Sequence, residues 1–227
     1  FYGAQAADFS AVGDFDAEAT KALVTELFGS WTAQKPYERI PNLMKVGQGL
    51  DQSIETPDKA NAFFIAGEPM AIQDTDADYP AMLMANYILG GGALKNRLAD
   101  RIRQKEGISY GVGSQFSADA WDKTGRWVAY AIYAPQNVDR LTTAFQEELA
   151  RAIKDGFTAD ELAFAKHAWL QGQAVDRTQD AGVARDLAAY LPLGRTCAYD
   201  SGLEKQVDAL TVDQVNAALR KYLDPSR

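Results

Sequence analysis

Apolar residues recur every four positions at Leu94, Leu98 and Ile102, while Lys95, Arg97, Arg101, Arg103 and Lys105 crowd the remaining positions. That spacing predicts a helix with one apolar stripe. Gly107 suits the left-handed position that closes a helix, because it has no Cβ to clash. Beyond it the period falls to two. Ile108, Tyr110, Val112 and Phe116 take one face of a predicted strand, with Ser114 between them, and Ser109, Gly111, Gly113, Gln115 and Ser117 take the other. Arg103, in the last helical turn, and Tyr110, third in the strand, therefore flank a sharp reversal and can point into one space.

The same reading places the other elements. Asp8–Gly13 is a short strand, and Asp16 caps a helix with the stripe Ala19, Leu23, Leu27 and Phe28 that ends at Gly29. Pro36, Pro41, Gly47 and Gly49 break periodicity over residues 32–49, a linker. Leu50–Glu55 and Asn61–Ala66 read as strands. Pro80 opens a helix through Leu89 that is apolar nearly all round and hence buried, with Asn86 its one interruption. Arg126–Ala134 is a strand joined to the preceding one as an antiparallel hairpin, with apolar residues on both faces, so both faces are expected to be covered. Helices follow: one with Val138, Leu141, Phe145, Leu149 and Ile153, one boxed by Thr158 and Glu161, one over about Gly182–Leu191, and one boxed by Thr211 and Gln214. Sheet first and helices after is an α+β order, an antiparallel or mixed sheet with helices packed on one face.

Composition narrows the function classes. The 227 residues include 23 basic and 31 acidic ones, a net charge of −8, so the basic helix is a local feature of an acidic chain and a poor general nucleic-acid footprint. One cysteine, Cys197, excludes an internal disulfide, and no apolar run is long enough for a membrane span. Bacterial periplasm and cytoplasm both fit. The chain begins at Phe1 without an initiator methionine, as expected of a piece of a longer protein.

Candidate chemistry is sparse. The only histidine, His167, has no second histidine at i+4, so neither a zinc site nor a hydrolytic triad is predicted, and His167 reads as a boundary residue on a helix. Gly90-Gly91-Gly92 lacks the Gly-Lys-Ser/Thr ending of a phosphate loop and reads as a turn between helices. Asp74, Asp76 and Asp78 read as a solvated loop. Arg103 and Tyr110 have two readings. A guanidinium offers five fixed donors and a phenol one, a pair suited to a carbonyl oxygen that gains negative charge. Equally, arginine is favoured at a helix C-terminus and a strand tyrosine usually packs.

Leu89-Gly90-Gly91-Gly92, Asn96-Arg97-Leu98 and Arg103-Gln104-Lys105-Glu106-Gly107-Ile108-Ser109-Tyr110 resemble the second-half signature of the insulinase/pitrilysin metallopeptidases, the inverzincin group that includes the mitochondrial processing peptidase. Val12-Gly13-Asp14-Phe15-Asp16, the stretch from Gly156 through Glu161-Leu162 to Ala165-Lys166, and Leu210-Thr211 through Tyr222-Leu223 match further motifs, so the resemblance covers nearly the whole chain.

The resemblance implies a clamshell of two halves around an extended peptide, in which Arg103 and Tyr110 bind substrate and steady the tetrahedral oxyanion. No H-x-x-E-H is present, and the apolar helix from Pro80 to Leu89 stands where the other half has its zinc helix. The chain is thus expected to be a noncatalytic half with no metal or cofactor of its own, with zinc in the partner half. The implied division is 1–31, a strand–helix remnant of the preceding half; 32–49, the linker; and 50–227, the peptidase-like α+β domain. In isolation the remnant should pack on the main sheet, swap into a second copy as a homodimer, or be poorly ordered. The expected partners are a zinc-bearing half and a peptide, with no nucleic acid. A scaffold domain without peptidase role is the alternative, and anion binding through Lys95–Lys105 a third.

Overall fold

Alternation of apolar and polar residues forms strands only where a neighbouring strand satisfies the backbone, and three segments meet that condition. The computed structural model describes residues 2–93 and 95–225. β1 (Ala62–Met70), β2 (Ser109–Ala118) and β3 (Gly125–Tyr133) make an antiparallel sheet in the order β1-β3-β2. β2 and β3 are the predicted hairpin. The helices are α1 (Ala17–Phe28), α2 (Tyr79–Asn86), α3 (Val138–Asp155), α4 (Ala159–Asp176), α5 (Asp180–Tyr190), α6 (Ala198–Ala209) and α7 (Val212–Tyr222), with π-helical turns at Tyr87–Gly91 and Ala99–Lys105. The predicted caps are formed: Asp16 accepts from the Ala19 N–H, and Thr158/Glu161 and Thr211/Gln214 close reciprocal boxes.

By contact the chain divides into two compact units, Phe1–Pro41 with Leu170–Glu204, and Asn42–Trp169 with Lys205–Arg227. In the first, α1 buries no residue, and the Ser10 hydroxyl donates to the Ala184 carbonyl on α5. The strand predicted at Asp8–Gly13 does not form, nor does this segment join the sheet. Its backbone has no β partner, and Gly13 turns it at φ +142°.

The second unit holds the core. α3 lays Phe145 against Phe64 of β1 and Trp127 of β3, with ring centroids 5.0 and 6.4 Å apart. α2 is buried through Pro80, Ala81, Met82, Met84 and Ala85, and Ile88, Leu89 and Gly90 extend that burial into the π turn. Its polar interruption is satisfied: Asn86 Oδ1 accepts from Ser114 Oγ at 2.7 Å and Trp127 Nε1 at 3.1 Å. The buried stripe of α3 is Leu141, Ala144, Phe145, Glu148 and Ala152, so Glu148 takes a core position that pattern reading passed over. One of its oxygens accepts from Arg151; the other has no partner among the described residues.

Two expectations fail here. Leu50–Glu55 forms no strand; Leu50 and Ile54 are exposed, and with Gln52 between them they offer no continuous apolar face to bury. The sheet is not covered on both sides: Trp127, Ala129, Ala131 and Tyr133 are buried beneath the helices, whereas Phe63 and Ile65 on the other face are 62% and 64% exposed.

The glycine run is a packing device. A Cβ on Gly90 would lie 2.5 Å from Ser114 Oγ and 2.8 Å from the Ser114 backbone nitrogen, so only glycine lets the end of this helix reach β2. Gly90→Ala is expected to lower stability by about 1–3 kcal/mol in urea unfolding; an unchanged midpoint would show that the contact is not made.

Candidate functional site

The basic helix begins later than its apolar stripe predicts. Leu94 lies outside the described residues. Asn96 Oδ1 accepts from the Ala99 N–H at 2.7 Å, and its amide donates to the Gly92 carbonyl, also at 2.7 Å. This local cap starts the helix at Arg97. Leu98 and Ile102 are fully buried, as the stripe requires, and from Ala99 the turn widens to π geometry. Gly107 closes it at φ +64°, the left-handed conformation read from the sequence.

Two of the five basic side chains are engaged structurally. Arg97 pairs with Glu161 through Nε and Nη2 at 2.7 and 2.8 Å, donates to the Gly156 carbonyl, and lies 4.8 Å over the Phe157 ring. This ties the helix start to the α3–α4 corner. Arg101 pairs with Glu106 and Glu147, and Arg140 on α3 donates to Glu106 at 2.9 Å. Arg101 and then Arg140 hold the Glu106 carboxyl below its usual range. Arg103 is exposed, with no hydrogen-bond or ion-pair partner among the described residues.

Tyr110 departs from the strand reading. Ser109 pairs with Tyr133 and Gly111 with Ile132, so Tyr110 is an extra residue, a β-bulge. The Ser109 hydroxyl reaches the carbonyls of Gly111 and Ile132, both at 2.9 Å, across the bulge. Tyr110 therefore does not share a face with buried Ile108; it stands 92% exposed, and its hydroxyl has no hydrogen-bond partner among the described residues. Ser109, assigned by alternation to the opposite face from Val112, is instead 7% exposed. Its signal in the sequence was the Ser-Tyr-Gly triplet, with glycine beside the bulged residue.

Among the described residues no group of three or more His, Cys, Asp and Glu side chains is placed to hold a metal, and His167 is exposed on α4 rather than at a boundary. No helix among the described residues is long and apolar enough to cross a membrane.

These elements define a class. The family model described as the peptidase M16 inactive domain matches residues 1–168, and the chain belongs to that family. It is 31% identical over 164 residues, 71% of this chain and 34% of the relative, to an uncharacterized zinc protease of Streptomyces coelicolor. It is 21% identical over 168 residues, 74% of this chain and 38% of the relative, to a non-peptidase homolog of Helicobacter pylori. The chain thus spans about a third of the length of the curated relatives it matches. Among solved structures, a peptidase M16 inactive domain from Pseudomonas fluorescens aligns with 94% of this chain and 49% of its own, at 27% identity and TM-score 0.70. The periplasmic protease PqqL of Escherichia coli shares the fold, at 19% identity and TM-score 0.69 over 93% of this chain and 23% of its own. The resemblance drawn from residues 90–116 holds, and so does the α+β fold with helices on one face of the sheet.

The Arg97–Glu161 pair gives a pH dependence. Burial raises the Glu161 carboxyl, but Arg97 and the Thr158 N–H lower it further, to about 2 against an ordinary 4.5. A folded-state pKa below the unfolded one adds stability that is full above about 4.5 and lost as pH falls toward 2. Glu161→Gln is expected to be less stable at neutral pH by roughly 1–3 kcal/mol, with the gap closing in acid when urea midpoints are followed. A gap independent of pH would contradict this assignment.

Proposed function

We propose that this chain is the zinc-free half of a zinc metallopeptidase, which binds an extended peptide and stabilises its tetrahedral intermediate through Arg103 and Tyr110. The observation that carries the reading is the bulge: it takes a tyrosine out of the pleat and leaves its phenol exposed just beyond the corner whose helical side bears an unpaired guanidinium. Arg101 and Arg140 hold Glu106 between them, which fixes the helix end while Arg103 has no partner among the described residues.

Donors fixed before reaction stabilise developing charge without reorganising. Arg103 contributes a permanent charge and a fork of N–H groups, and Tyr110 a single O–H. Both act on the peptide carbonyl oxygen as it becomes an oxyanion. Zinc, carried by the partner half, supplies the activation of water. Family membership supports the pairing of two halves, and the zinc proteases among the relatives support the reaction class.

A scaffold role is the second reading, favoured by one specific observation: a relative of similar coverage is a non-peptidase homolog. With the chain paired to its zinc-bearing half, Arg103→Ala and Tyr110→Phe are each expected to lower kcat about a hundredfold to a thousandfold while bound zinc is unchanged. Unaltered turnover in both variants would select the scaffold.

A further inference from the structure

The helix-free face of the sheet has an order that the two proposed substrate residues do not account for. Strand register sets four rungs across it: Phe63–Ile132–Gly111, Ile65–Tyr130–Gly113, Gly67–Val128–Gln115 and Pro69–Arg126–Ser117. The first two rungs carry large apolar side chains on β1 and β3 and bare glycine on β2. Phe63 and Tyr130 stack at 6.3 Å with ring planes 12° apart, and Gly113 is buried, since a Cβ there would lie 3.2 Å from both the Tyr130 hydroxyl and the Gly90 carbonyl. A Cβ on Gly111 would meet nothing within 4 Å. Gly111 is therefore a notch of open backbone beside its rung partner Ile132, and directly follows Tyr110. The Tyr130 hydroxyl has no hydrogen-bond partner among the described residues.

We propose that this notch is a specificity subsite that takes an aromatic or branched apolar side chain of the extended peptide next to the bond held at Tyr110, with the peptide running along the sheet toward Arg126. The inference rests on the peptide-binding role proposed above. Charge identifies the occupant. None of the twelve rung positions is acidic although the chain carries −8, and the fourth rung presents an exposed arginine. Arg126 lies six residues from Ile132, the rung partner of Gly111, about 20 Å along the strand, so an acidic residue about six positions from the apolar one meets it. A second copy docked face to face would set Arg126 against a surface equally free of acid.

The probe is a fluorescein-labelled glycine–alanine–serine decapeptide with one phenylalanine and one aspartate six positions apart, and its binding to this chain is followed by anisotropy. It is expected to bind about tenfold tighter than the same peptide with alanine for phenylalanine. Gly111→Val, which fills the notch, and Phe63→Ser, at an exposed position, are each expected to abolish that preference with thermal melts unchanged. Arg126→Glu should instead favour a lysine-bearing peptide over the aspartate one. Arg103→Ala should weaken all peptides alike and keep the phenylalanine preference. If Arg103→Ala and Tyr110→Phe change neither binding nor turnover while that preference persists, the oxyanion role fails and the subsite stands. Equal binding of the phenylalanine and alanine peptides by the parent chain would overturn the subsite, as would concentration-dependent dimerisation abolished by Phe63→Ser.

Discussion

A single extra residue between Ser109 and Gly111 governs what this fold can present. In an uninterrupted pleat, the register that pairs Val112 with Ala131 would continue to set Tyr110 opposite Tyr133, on the face covered by helices. The bulge puts Ser109 in that place instead, where its small buried hydroxyl bridges the carbonyls of Gly111 and Ile132. The single O–H of Ser109 lies within reach of both carbonyls and donates to one or is shared between them, and the tyrosine is delivered to the outside.

The surrounding structure fixes the position of that corner. Asn96 sets where the basic helix begins, Arg97 ties its start to Glu161, and Glu106 is gripped by Arg101 and Arg140 at its end. Beneath them, Asn86 joins α2 to both β2 and β3, and Gly90 allows the close approach. The charged groups on this helix thus fall into two kinds. Arg97 and Arg101 hold the scaffold together, and Arg103 is exposed without a partner among the described residues, as the role proposed for it requires.

Much of this was legible in the sequence because the signals were local. Gly107 closes its helix as read, the three caps form between the residues named, and the hairpin joins the strands predicted to pair. The glycine-rich turn, Asn-Arg-Leu and the Arg103–Tyr110 spacing identified the family. What escaped reading depended on distant partners. Alternation cannot register a bulge, because a shift of one residue is decided by the neighbouring strand, so Tyr110 and Ser109 were assigned to the wrong faces. The segments at 8–13 and 50–55 have strand-like composition, yet no strand pairs with them. Glu148 sits in an apolar stripe because Arg151, one turn away, engages one of its oxygens. The sheet face that stays open was expected to be covered because its apolar content was visible and its lack of a covering layer was not.

The exposure of Tyr110 turns on the register of β2 against β3 at its first residues. Cross-strand proton contacts in the NMR spectrum of the isotopically labelled chain measure it directly. The expected pattern places Ser109 opposite Tyr133 and Gly111 opposite Ile132, with the Tyr110 ring free of contacts to Ile108, Val112 and Phe116. A spectrum in which Tyr110 lies opposite Tyr133 and its ring contacts Val112 beneath the helices would contradict it.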